Sequence, residues 1–69
     1  MRYTVIVKRI EGDGREHVYH VTRENTPTEN EDEYLTFQTV KGAISWTQSE
    51  DAFMWMEEGQ CSFEVMELD

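Results

Sequence analysis

Residues 2–23 read Arg2-Tyr3-Thr4-Val5-Ile6-Val7-Lys8-Arg9-Ile10, then Glu11-Gly12-Asp13-Gly14, then Arg15-Glu16-His17-Val18-Tyr19-His20-Val21-Thr22-Arg23. Both flanks are rich in β-branched and aromatic residues, which suit a pleated surface. Two glycines around an aspartate tolerate positive φ and suit a tight loop. The stretch therefore predicts a β-hairpin. Side chains alternate along a strand, so Tyr3, Val5 and Val7 share one face, with Ile6 and Ile10 on the other. That pattern predicts cover on both sides. On the return strand His17, Tyr19 and Val21 share a face, opposite Val18 and His20.

Outward from the hairpin, residues 24–33 are polar throughout and hold the only proline, Pro27. They predict a loop, since Pro27 also pushes Thr26 away from helix. Tyr34 to Gln38 predicts a third strand with Leu35 and Phe37 on one face. Residues 39–47 have two readings. As helix, Thr39 caps it and Val40, Ala43 and Ile44 line one face. As hairpin, Lys41-Gly42 turns, and Ile44 and Trp46 share a strand face. The helix reading is preferred.

Residues 49–58 predict a helix, with a Thr47–Glu50 capping box or Ser49 as the cap and Gly59 as its stop. Its apolar side is expected to hold Ala52, Phe53 and Met56, flanked by Trp55. Residues 60–68 predict a final strand, with Phe63 and Val65 on one face and Met66 and Leu68 on the other. The expected fold is a single α+β domain over residues 1–69. It has a small antiparallel sheet of about four strands (N-terminal hairpin, third strand, C-terminal strand), with one or two short helices packed on one face.

A chain of 69 residues has a marginal core, because so small a domain buries only about 60% of its unfolded surface. Cys61 is the only cysteine, so no internal disulfide supplements that core. A lone thiol fits a reducing compartment, and the short apolar stretch at the N-terminus is too closely flanked by charge for a signal peptide. A cytoplasmic location is expected. Eight aromatic residues supply core material and argue against disorder. Dimerisation stays open as a further support. No apolar run approaches the ~18 residues of a membrane span.

Charge is distributed unevenly. The net charge is −9, yet residues 1–23 hold five basic and three acidic residues, whereas residues 24–69 hold twelve acidic residues and only Lys41 as a base. Such a field repels nucleic acid and steers association with a basic partner. One acidic segment is the loop with Glu24, Glu29, Glu31, Asp32 and Glu33. The other is the 49–58 helix, where Glu50, Asp51, Glu57 and Glu58 lie opposite the apolar side. Helix positions seven apart rise about 10.5 Å, close to three nucleotides along one DNA strand at ~10 Å, so paired carboxylates there could imitate phosphates. Glu57 and Glu58 oppose the helix dipole without visible compensation. Met54 projects from the acidic side as a candidate partner anchor. The plainer reading of both segments is solvated surface that keeps the chain soluble.

No motif fixes a reaction. His17 and His20 point to opposite strand faces, and one cysteine does not make a zinc set, so no metal site is expected. The acidic loop lacks the spacing and central glycine of an EF-hand. Gly12-Asp13-Gly14 has no phosphate-cradle continuation, and no serine sits in a nucleophile elbow. Neither cofactor nor catalytic residue is expected, and the chain reads as a non-enzyme.

In its size, its acidic helix and loop, and its compact sheet, the chain resembles small acidic phage-encoded inhibitors, including anti-CRISPR proteins and nucleic-acid mimics. That group shares neither a fold nor a diagnostic motif, so no functional residue carries over. The resemblance implies a protein that blocks a host nucleic-acid-binding complex by occupying its basic surface. The departure is the basic N-terminal hairpin, which an all-over mimic would not need. The alternative is a small structural or regulatory interaction module. It would act through Met54, Trp55, exposed strand edges or dimerisation, with acidity serving only solubility.

Overall fold

The hairpin forms as its sequence dictates. Strand β1 (Tyr3–Ile10) and strand β2 (Glu16–Val21) pair antiparallel, from Ile10 opposite Glu16 to Ile6 opposite His20. Gly14 takes the left-handed conformation the turn needs (φ 77°) and donates its N–H to Glu11 O at 2.9 Å. The computed structural model describes residues 1–68. After two helices, α1 (Val40–Thr47) and α2 (Glu50–Met56), a last strand returns to the other side of β1. Spatially the order is β3-β2-β1-β4, with β3 (Pro27–Thr28) and β4 (Gln60–Glu67) at the edges. The class is α+β, as expected.

Val5 and Val7 turn toward the helices and are fully buried. Val7, Val21 and Trp55 form the core, with Tyr19, Trp46, Cys61 and Phe63 packed against it. Trp46 meets Phe63 edge-on at 5.9 Å, a favoured aromatic geometry. The opposite sheet face is covered only at one end. There Thr4 is buried and donates its hydroxyl to Leu35 O at 2.7 Å, and His20 stacks on Tyr34 at 4.3 Å. Val18, further along, is 54% exposed.

Four expectations are corrected. Residues 24–33 are not a bare loop: they contain β3 and a 3-10 turn at Glu31–Glu33, capped by Asn30 accepting from Asp32 N at 3.1 Å. Residues 34–38 are not a strand. They make only isolated bridges, Tyr34 with Thr22 and Phe37 with Tyr3. β3 already holds the outer side of β2, and only the start of β1, beyond the reach of β2, has a free side for Phe37.

The first helix forms with Thr39 as cap, its side chain accepting from Gly42 N at 3.1 Å. Its buried residue is Ala43, however, and Val40 and Ile44 are exposed. The inward phase is set by Ala43 together with Trp46, three positions on. In α2 the cap is Ser49, because the Thr47 hydroxyl turns back to Ile44 O at 2.6 Å. Ala52 and Trp55 face inward, while Phe53 (56%) and Met56 (39%) face out. Gly59 is needed less as a helix stop than for space, since a Cβ there would collide with the carbonyl oxygen of Ile10.

Candidate functional site

The acidic residues picked out by sequence all lie at the surface. Glu29, Glu31, Asp32 and Glu33 are exposed in the segment after β3, and Glu33 accepts from the Thr28 hydroxyl at 2.9 Å. Glu50 and Asp51 occupy the first turn of α2, where the dipole favours them. Glu57 is its C-terminal cap in helical conformation (φ −64°, ψ −27°), so Glu50 and Glu57 stand about 10.5 Å apart along the axis. Among the described residues, Glu29, Glu31, Asp32, Glu33, Glu50, Asp51 and Glu57 make no ion pair. Glu58 departs from expectation: it pairs with Arg9 Nη1 at 3.1 Å, which compensates its place at the negative end of the helix.

Asn25 ties the turn before β3 to α2. It adopts φ 63°, a left-handed conformation that asparagine tolerates. Its Nδ2 donates to Asp51 O at 3.1 Å and lies 3.8 Å from Met54 Sδ, and its Oδ1 accepts from the Trp55 indole at 2.8 Å. Met54, 58% exposed, therefore leans on the turn before β3. A shallow cleft of about 270 Å³ opens there between Pro27, Met54, Trp55 and Arg9.

Sequence reasoning missed a second cluster at the turn end of the hairpin. Arg9, its side chain only 12% exposed, lies 5.0 Å from the Tyr19 ring centre and 5.4 Å from that of Trp55. Its Nη2 pairs with Glu11 at 2.8 Å, and the Tyr19 hydroxyl donates to the same carboxylate oxygen. His17 Nε2 stands 3.2 Å from Asp13. The Tyr19 hydroxyl and Arg9 hold the Glu11 carboxyl below its usual range, and the Glu11 bond raises the Tyr19 phenol. The Arg15 amide and His17 lower Asp13. Alternation and the Arg9–His17 pairing would have predicted this grouping, because Arg9, His17 and Tyr19 share one face.

The histidines do lie on opposite faces. Cys61 pairs with Arg9 in the sheet and donates to Trp55 O at 3.3 Å, so it sits on the helix face, away from His20. Burial pushes its thiol up, the setting of an inert cysteine. Among the described residues no group of three or more His, Cys, Asp or Glu is placed to hold a metal ion. No helix among them is long and apolar enough to cross a membrane.

Comparison with protein-family models, curated proteins and solved structures returns no match. The reading of function therefore rests on the surface itself.

Proposed function

We propose that the chain is a small acidic protein-binding inhibitor. It blocks a host nucleic-acid-binding complex, such as a CRISPR effector, by presenting carboxylates to that complex's basic surface in the host cytoplasm. One observation carries the reading: the carboxylates of Glu29, Glu31, Asp32, Glu50, Asp51 and Glu57 are exposed and have no ion pair among the described residues. Met54 lies beside them as an apolar anchor. Glu58 contributes less, because Arg9 engages it.

The test is a tagged pull-down from bacterial lysate, eluted with a salt gradient and read by mass spectrometry. The expected result is a stoichiometric nucleic-acid-binding complex, released by moderate salt and displaced by DNA or RNA. Glu57→Lys with Glu31→Lys should weaken capture without disturbing Arg9. Retention in high salt, unaffected by those substitutions, would remove the acidic surface from consideration. That outcome would favour a module acting through apolar contacts or dimerisation, a reading supported by the exposure of Phe53, Met54 and Ile44.

A further inference from the structure

Among the described residues, strand β4 has β1 on one side and no strand on the other. Leu68 donates its N–H to Arg2 O at 2.8 Å, which fixes the hydrogen-bonding phase of the pair. In an antiparallel ladder alternate residues bond to the same neighbour. Ser62, Glu64 and Met66 therefore bond to β1, and Cys61, Phe63, Val65 and Glu67 turn their N–H and C=O groups outward. Among the described residues no backbone bond outside the ladder engages those four. The pairing with β1 runs unbroken from Tyr3–Glu67 to Ile10–Gln60, and β4 contains no proline. The edge thus lacks the bulge or proline that commonly blocks strand addition.

The charges on this edge select the occupant. Glu64 lies on the open sheet face with its side chain 58% exposed, bonded to Lys8 through one oxygen at 2.7 Å. Glu67 is exposed and alternates to the helix face. A second copy would bring another net charge of −9 to the edge. Pairing centred on Glu64 would also set like charges opposite one another, which is destabilising. A strand carrying Lys or Arg meets the opposite sign.

We propose that the β4 edge takes up an extended basic segment of a partner protein by strand addition. Lys or Arg residues three apart would oppose Glu64 and Glu67, and a β-branched residue would oppose Val65. The inference goes beyond the acidic-surface reading, because the carboxylates that select the segment, Glu64 and Glu67, lie outside that surface.

The probe is the peptide acetyl-Lys-Thr-Val-Lys-Val-Thr-Val-amide, with a counterpart carrying Glu in place of both Lys. Each is titrated into the isotope-labelled protein and followed by amide hydrogen exchange. Binding should slow exchange at Cys61, Phe63, Val65 and Glu67, leave Ser62 and Glu64 unchanged, and fail with the Glu peptide. Val65→Pro removes one outward N–H and no bond to β1. It should weaken the peptide about tenfold, the scale of one or two backbone hydrogen bonds. The wild-type exchange pattern decides even if that variant unfolds.

Peptide binding that shifts only residues 29–33 and α2 overturns strand addition and leaves the acidic-surface reading standing. Protection of the four amides without peptide, growing with protein concentration, makes a second copy the occupant and likewise overturns it. Protection by the Lys peptide, together with a salt-resistant pull-down unaffected by Glu57→Lys, supports the edge and removes the acidic surface.

Discussion

The turn end of the hairpin and the outer side of α2 use charge in opposite ways. At the turn, Arg9 lies against both Tyr19 and Trp55 and is shared between Glu11 and Glu58, and His17 leans on Asp13. On α2 and in residues 29–33, the carboxylates other than Glu58 face solvent without an ion pair among the described residues. The first region spends its charge on internal contacts, and the second leaves its charge available to the outside. Trp55 belongs to both, since it forms the floor under Arg9 and fixes the phase of α2.

Removing that shared residue should have the largest effect. Trp55→Ala is expected to cost about 3–5 kcal/mol in chemical denaturation, a large fraction of what so small a domain has. Phe53→Ala, two positions earlier but 56% exposed, should stay within about 0.5 kcal/mol. Similar losses would mean that α2 sits in the opposite phase. Next comes Arg9→Ala, which removes the ion pairs to Glu11 and Glu58 and two ring contacts, leaving Glu11 to the Tyr19 hydroxyl. A loss of about 2 kcal/mol is expected, against about 0.5 kcal/mol or less for Arg23→Ala, which is exposed.

Acid separates the regions again. Folding lowers the Glu11 and Asp13 carboxyls, so their contribution is full above the ordinary carboxylate range and is lost as pH falls through their folded values. Glu11→Gln should flatten the acid limb of a plot of unfolding midpoint against pH. An unchanged limb would show that the Tyr19 and Arg9 contacts do not bias its protonation. The smallest effect is expected at Glu57→Lys, which swaps an unfavourable charge for a favourable one at the helix end. Stability should rise by about 0.3–1 kcal/mol while capture of the partner weakens.

The hairpin was legible because β-branched alternation and the Gly-Asp-Gly turn are local signals. The cap at Thr39 was legible for the same reason, whereas for α2 the sequence offered both the Thr47–Glu50 box and Ser49, and the Thr47 bond to Ile44 O leaves the cap to Ser49. The phase of α2 was not legible. Ala52, Phe53, Met54, Trp55 and Met56 offer too many apolar choices for seven residues to rank, and the choice is made by Asn25, distant in sequence. β3 was hidden because two residues on an edge carry no periodic pattern. The acidic surface was visible from composition, but Glu58 was misread because its partner, Arg9, lies on the first strand.

The central strand β1 receives its second neighbour from the far end of the chain. Joining Ile10 to Gln60 closes a loop of about fifty residues, and that entropy must be spent before any β1–β4 contact can return it. The hairpin can nucleate locally, whereas half of the sheet's pairing on β1 waits for the docking of the last strand. Folding should therefore be slow for a protein of this length and limited by topology. A circular permutation that joins residues 69 and 1 and opens the chain in residues 29–33 shortens the path between residues 10 and 60 to about twenty residues, makes β4 and β1 consecutive, and should speed folding.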